Sequence, residues 1–394
     1  MRTVFDNVTL VLPDRLVPDS ALLTDGDKIA DFGKRGTLTG EKKIDCGGLY
    51  LAPGFVDIHV HGGGGHDFMD GTVDACVGAM TAHMKHGTTT IVPTSLTAED
   101  YELEAFFKSV KTIKKSSDSK VLPFVPGTHL EGPYVDPAQA GAQDPKYIKA
   151  PTAESWRKIM KLADGEILIW TVAPELDGAM EIARELRPQG VLFSAGHSSA
   201  KYSDALAALD NGYTMATHLY SSMSTIIREQ GYRVPGLLEA AMLHDGYAVE
   251  VIADGKHLPA PLLKLICKTK PHDRIMLITD AMRGAGMPDG EYLLGSLTKG
   301  QLVSVFDGIA HMPDGVAFAG SVATTDRLVR VMTKEAGLPL WEAVRMMTAN
   351  PAREIGVADK KGSLTPGKDA DLVMFDGDIN VKKVVIGGAT VFEA

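Results

Sequence analysis

The sequence predicts an α/β fold: a (β/α)8 TIM-type barrel with a small β-sandwich domain built from the N- and C-terminal segments. Three observations carry this. Between residues 53 and 357, eight short apolar runs alternate with segments of helical pattern, as strands and helices do in β-α units. Several of those runs end in His, Glu or Asp, and such barrels hold their sites at the C-terminal strand ends. Residues 1–52 and 358–394 read instead as short strands separated by turn residues.

In chain order, the first segment turns at Pro13-Asp14, Asp25-Gly26-Asp27 and Gly47-Gly48. The eight runs are expected as strands near Gly54–His61, Thr88–Pro93, Phe124–Glu131, Ile167–Ala173, Val191–His197, Thr214–His218, Ala248–Ala253 and Arg274–Asp280. Helices are expected between them, for instance over Ala75–His86, Ala153–Leu162, Ser203–Leu209 and Pro261–Cys267. From about Gly362 the pattern returns to strands, Asp371–Phe375 and Lys383–Ile386, with Gly387-Gly388 as a hairpin turn. The two end segments are expected to pair into one small domain.

Composition narrows the function. The chain has 394 residues, 44% hydrophobic and 23% charged, ordinary values for a globular protein with one large domain and a lesser one. A formal charge of −10 disfavours a general nucleic-acid surface and leaves a small anionic substrate open. The lysine-rich stretch Lys108–Lys120 reads as a solvated helix end and loop. Cys46, Cys76 and Cys267 are odd in number and scattered, so neither a disulfide framework nor a cysteine metal site is expected, and a reducing, cytoplasmic setting is. The N-terminus lacks a signal-peptide core, and no run is long and apolar enough to span a bilayer. Asn7-Val8-Thr9 matches a glycosylation sequon without a secretory signal to accompany it.

The richest stretch is Gly54-Phe55-Val56-Asp57-Ile58-His59-Val60-His61-Gly62. Strand alternation puts Asp57, His59 and His61 on one face. Two imidazoles so placed converge on a point, as a metal requires. Glu131, His197, His218 and Asp280 lie at the ends of the third, fifth, sixth and eighth runs. Imidazole and carboxylate together suit zinc, or iron and its neighbours, better than calcium or magnesium. His66, His83, His86, His244, His272 and His311 are read as surface or local hydrogen-bonding residues, and His129, on the face of Glu131, as a supporting residue. A metal in an open site activates water and polarises a carbonyl. Asp280 would then act as general base toward the water and as acid toward a leaving amine. This is the chemistry of C–N bond hydrolysis.

With these residues in place the chain resembles the amidohydrolase superfamily, and within it the N-acetylglucosamine-6-phosphate deacetylase family. The matching pieces are Pro53 through Gly62, His129-Leu130-Glu131-Gly132-Pro133, Ala195-Gly196-His197, Ala216-Thr217-His218-Leu219-Tyr220, Ile252 through His257, Thr279-Asp280-Ala281-Met282, Ala319-Gly320-Ser321 and Pro366 through Val373. The glutamate of His-Leu-Glu-Gly-Pro is the specific one, because many superfamily members use a modified lysine there. The resemblance implies release of acetate from the 2-acetamido group of a hexosamine 6-phosphate. It implies Glu131, His197 and His218 around a principal metal, His59 and His61 around a second, and Asp280 as acid/base: one or two divalent ions per chain. It also implies a sugar or phosphate contact from His257, a substrate loop at Ala319 and Gly320, and a homodimer.

The departures lie at the substrate end. Ser221-Ser222-Met223 stands where the family has Asn-Ala-Met, and Gly141-Ala142-Gln143 where it has Gly-Ala-His. Arg233-Val234-Pro235-Gly236 follows a lengthened stretch, Ser224–Tyr232. Arg233 is the first candidate for phosphate and Arg228 the second; Ala142, Gln143, Ser221 and Ser222 are expected to line the pocket. The expected partner is an amino-sugar phosphate of the glucosamine or galactosamine series, with no nucleic acid and no membrane. Arg228, Arg233 and His257 favour an anion without choosing phosphate over carboxylate. Another amidohydrolase reaction (deacylation of an amino acid, cyclic amide hydrolysis or deamination) stays open, as does a non-catalytic barrel, which retention of every ligand disfavours.

Overall fold

The computed structural model of the protein describes residues 1–315 and 317–394, with Ser117 described by its backbone alone. Among the described residues, the central region carries eight parallel strands. They are β1 (Phe55–Val60), β2 (Thr88–Pro93), β3 (Thr128–Glu131), β4 (Ile167–Val172), β5 (Leu192–Ala195), β6 (Tyr213–Ala216), β7 (Ala248–Val251) and β8 (Ile275–Leu277). β1 pairs with β2, and β3 to β8 form one six-stranded parallel sheet in chain order. Parallel bridges Thr94↔His129 and Val60↔Ala281 connect the two sheets at both of their edges, so the parallel array is curled.

The strands read as near-continuous apolar runs because both faces are covered. Every residue of β1, β2 and β3 is buried. Val56, Ile58, Val92, Ile169, Leu192, Met215, Ala248 and Met276 form one apolar cluster to which seven of the eight strands contribute. A second, larger core lies between the strands and the helices, where Trp170 stacks on Tyr134 and Phe193. Helix Ala153–Ala163 begins where predicted and Val73–Met84 two residues before the expected Ala75; Thr152 and Thr72 cap them, each hydroxyl accepting a free first-turn N–H. The second of these buries Trp156, Ile159 and Ala163, a stripe at helical spacing.

The two ends of the chain meet in one hydrogen-bonded sheet of eight strands. Tyr50–Pro53 pairs antiparallel with Leu372–Phe375 and thereby joins N-terminal to C-terminal strands. Gly387 and Gly388 both sit at positive φ, the conformation a tight hairpin needs and glycine alone adopts freely.

Three features depart from the sequence reading. β3 starts at Thr128 rather than near Phe124, since Pro123 and Pro126 lack the N–H a strand ladder uses. β5, β6 and β8 stop short of His197, His218 and Asp280, all three of which have positive φ. Two excursions were not anticipated: the hairpin Ile227–Glu229 with Tyr232–Val234 after β6, and the three-stranded sheet Gly290–Leu294, Gln301–Phe306 and Ile309–His311 after β8. No helix among the described residues is long and apolar enough to cross a membrane.

Candidate metal centre

The strand ends deliver their polar residues to one buried cluster. Glu131 closes β3. His197, His218 and Asp280 follow β5, β6 and β8 in the left-handed region, at φ 48°, 25° and 48°. Such backbone costs on the order of 1–3 kcal/mol at a non-glycine residue, and it clusters where function dictates the geometry. Here it accompanies the turn of the chain at the strand tips, where all three side chains enter one buried cluster.

Two triplets result. In the first, His197 Nε2 and His218 Nε2 each lie 3.0 Å from Glu131 Oε1 and 3.1 Å from each other. His197 Nδ1 donates to the Gln139 carbonyl at 2.8 Å, and His218 Nδ1 to the Ser221 carbonyl at 3.2 Å. A carbonyl only accepts, so each Nδ1 carries a proton, and in the neutral ring each Nε2 is then a lone pair. Two imidazole lone pairs and a carboxylate oxygen therefore face one another at close range, an arrangement that suits a cation. In the second triplet, His61 Nε2 is 3.1 Å and His59 Nε2 3.5 Å from Asp280 Oδ1. Glu131 joins the two, with Oε1 3.5 Å from His59 Nε2 and Oε2 3.4 Å from His61 Nε2. Both triplets, Glu131 with His197 and His218 and Asp280 with His59 and His61, have the size and donor set of metal-holding groups.

The charges tell the same story. Burial alone would raise the Glu131 pKa, but His59 and His197 beside it outweigh that and hold it well below the carboxylate range. Burial also opposes charge on Asp280, yet His61, His59 and His218 pull its pKa down to about 2. On His59, burial disfavours the charged form, while Glu131 and Glu250 raise the pKa well above the usual imidazole value. The carboxylate shifts reflect the imidazoles packed around Glu131 and Asp280, and the His59 shift the two carboxylates beside it.

β1 does not keep simple alternation. Its pairing with β2 slips between Phe55 and Val56 and again between Asp57 and Val60. Asp57 consequently leaves the cluster expected for it and accepts from the Thr279 backbone N–H at 3.2 Å and hydroxyl at 2.5 Å, tying β1 to the end of β8. His129 stays beside the cluster: its ring packs on His59 at 4.4 Å, and it bonds the Thr171 hydroxyl at 2.7 Å.

Around the cluster lies an open cavity lined by His61, Glu131, Ala142, Gln143, His197, His218, Ser221, Ser222, His257, Asp280 and Gly320, with Leu96, Leu294 and Phe318 as apolar wall. Gln143 does more than line it. Its Nε2 donates to Glu131 Oε2 at 2.6 Å, and its Oε1 accepts the Thr97 N–H at 2.7 Å. His257 is held by Asp254, which accepts from its Nδ1 at 2.9 Å and its N–H at 2.8 Å. Gly320 passes so close to Asp280 that a Cβ there would meet the Asp280 carbonyl at 2.8 Å. Ala319 is buried behind it and does not line the cavity. Arg228 and Arg233 are not among the lining residues either; they face each other across the exposed hairpin. Sequence reasoning missed Glu250, whose carboxylate meets His59 Nδ1 at 2.9 Å. Its signal was a lone acid inside the apolar strand Ala248-Val249-Glu250-Val251.

Residues 50–391 match the amidohydrolase family. The chain belongs to the amidohydrolase family. Within that family it is similar to N-acetylglucosamine-6-phosphate deacetylase of Bacillus subtilis (strain 168), 34% identical over 96% of this chain and 97% of the relative. It is similar as well to N-acetylgalactosamine-6-phosphate deacetylase of Escherichia coli O157:H7, 33% identical over 86% of each chain. Among solved structures, a variant of the Mycobacterium smegmatis N-acetyl-D-glucosamine-6-phosphate deacetylase in complex with N-acetyl-D-glucosamine-6-phosphate superposes with a TM-score of 0.89, at 31% identity over 99% of both chains. Amidohydrolases are metal-dependent hydrolases, and the two triplets offer this member its candidate metal positions.

Proposed function

We propose that the chain hydrolyses the N-acetyl amide of an amino-sugar 6-phosphate, N-acetylglucosamine 6-phosphate or its galactosamine epimer, to acetate and the hexosamine phosphate. The observation that carries this is the facing of imidazole nitrogens and carboxylates from His59, His61, Glu131, His197, His218 and Asp280 in one buried cluster, in a chain whose relatives are deacetylases of such sugars. Glu131, His197 and His218 would hold the principal ion, and His59 and His61 a second, with zinc or iron best suited to nitrogen and carboxylate donors. A divalent ion bound there supplies the Lewis acidity that polarises an amide carbonyl and acidifies water.

The protein's own groups do the rest. Asp280, ionised at neutral pH, lines the cavity beside His61 and takes a proton from water. The same carboxyl then returns that proton to the departing sugar amine, since an amine leaves only once protonated. Gln143 and Ala142 on one side and Ser221 and Ser222 on the other bound the space for the sugar, with Gly320 shaping its wall. His257, oriented by Asp254, faces the cavity as a donor for a sugar or phosphate oxygen. Arg228 and Arg233 stand outside the cavity of their own chain, and like charges directly opposite on a hairpin repel. We place them at a phosphate of a second copy, which makes the working form a homodimer.

The supporting architecture follows the same reading. The curled parallel array, edge-bridged at Val60↔Ala281, reads as a (β/α)8 barrel over residues 53–357. Strand Arg2–Val11 carries Lys42–Asp45 along its first half and Tyr50–Pro53 near its end, which suits a sheet folded into a small sandwich of residues 1–52 and 358–394. Free cysteines at 46, 76 and 267 suit a cytoplasmic protein. The test is acetate release from N-acetylglucosamine, N-acetylgalactosamine and N-acetylmannosamine, each with and without 6-phosphate, on protein of known metal content. Turnover of a 6-phosphate sugar is expected; acetate from none of the six, with ammonia or acid released from other amides, would replace this reading.

A further inference from the structure

Glu250 is a charged side chain at the centre of β7, between Val249 and Val251, and no part of it reaches solvent. A buried carboxylate persists only with strong partners. Its Oε2 lies 2.9 Å from His59 Nδ1 and accepts the backbone N–H of His218 at 3.3 Å. Its Oε1 has no hydrogen-bond partner among the described residues. His129, whose ring packs on His59 at 4.4 Å, spends its nitrogens on the Thr171 hydroxyl and the Ile58 carbonyl and makes no hydrogen bond to Glu250.

The four imidazoles of the cluster are therefore held unequally. His197 and His218 donate Nδ1–H to neutral backbone carbonyls, and His61 Nδ1 has no partner among the described residues. His59 alone meets a carboxylate at Nδ1. An ionised carboxylate accepts only, so the proton of a neutral His59 is fixed on Nδ1 and the Nε2 lone pair is turned toward Asp280 and Glu131. A carboxylate behind a ligating imidazole also raises its basicity. We propose that Glu250 is the positioning residue of the second metal position: it fixes the tautomer and direction of His59 and so sets whether that position fills. The same oxygen, bonded to the His218 backbone, links this control to the first triplet. The proposal rests on the metal-hydrolase reading above and adds to it which residue governs occupancy.

The experiment uses full-length protein purified with zinc and equilibrated across chelator-buffered Zn²⁺, reading bound zinc per chain beside kcat and KM. Wild type is read first; if it binds no zinc, the metal reading falls, and the positioning role with it. With Glu250→Gln, nearly isosteric and uncharged, the second ion should bind about 10–100-fold more weakly while the first is unchanged. kcat should drop with second-site occupancy and recover at high Zn²⁺, with KM constant. Added to His59→Ala, Glu250→Gln should change zinc binding no further. Glu250→Asp, which keeps the charge but withdraws it by one methylene, should reproduce the second-site loss even if the glutamine variant does not fold. Equal weakening of both ions, wild-type zinc affinity in the glutamine or aspartate variant, extra zinc loss in the double variant, or a single wild-type ion indifferent to His59 would each overturn the role.

Discussion

The strand-end cluster and the rim that would receive the far end of a substrate are built on opposite plans. In the cluster four of the six side chains are held from behind: His197 by Gln139, His218 by Ser221, His59 by Glu250 and Glu131 by Gln143. On the rim, Arg228 and Arg233 stand on an exposed hairpin after β6, away from the cavity of their own chain. Reaction chemistry demands atoms fixed to a fraction of an ångström, and the protein supplies that with buried hydrogen bonds. Substrate preference needs only a surface of the right charge and shape, and loops can supply it.

Changes in the cluster should therefore be severe and insensitive to the sugar, whereas changes on the rim should be mild and selective. The largest effect is expected for His218→Ala, which should lose bound metal and deacetylation together; retention of both would take His218 out of the first triplet. Next, Asp280→Asn should keep the fold and the metal but lower kcat by about 10²–10⁴-fold, the usual range for a general acid–base group. Steady-state kinetics on metal-analysed protein would show this, and a near wild-type kcat would leave Asp280 with no proton to carry.

Gln143→Ala separates the two plans, because Gln143 lines the cavity yet bonds Glu131. If its main work is to hold the carboxylate, the variant should lose about 10–100-fold in metal affinity or activity, equally for every sugar tested. If it chiefly contacts substrate, the loss should differ between epimers while zinc affinity stays put.

The most selective effect belongs to the hairpin. One charged hydrogen bond contributes about 1.5–3 kcal/mol. At about 1.4 kcal/mol per tenfold, Arg233→Ala should lower kcat/KM for the phosphorylated sugar roughly 10- to 150-fold and leave the unphosphorylated one alone. Arg228→Ala should follow in the same direction. Equal rates on both sugars in both variants would remove the hairpin from phosphate binding.

The cluster was legible in the sequence for a physical reason. A polar or metal-capable residue ending an apolar run is costly without a purpose, so His59, His61, Glu131, His197, His218 and Asp280 stood out from their neighbours, and the structure brings all six together. What stayed hidden depended on contacts between distant segments. Asp57 shares the period of His59 and His61, but the slips in the β1–β2 pairing turn it to Thr279. Glu250 lies 191 residues from the histidine it holds, and only the curl of the sheet brings them together. Gln143 read as a substituted pocket residue because its bond to Glu131 depends on how the intervening loop folds back. The strand tips ran long in the reading for a related cause: His197, His218 and Asp280 continue the apolar pattern but adopt left-handed backbone that propensity does not foresee.

The most direct test of the metal-dependent deacetylase reading is to measure bound metal and acetate release on the same samples of full-length protein, stepped through chelator-buffered zinc with N-acetylglucosamine 6-phosphate and N-acetylgalactosamine 6-phosphate as substrates. Turnover of at least one of them should rise in proportion to filling of the site formed by Glu131, His197 and His218 and vanish when that site is emptied. A full rate of acetate release from metal-free protein, or no release of acetate from either sugar with the site filled, would contradict it.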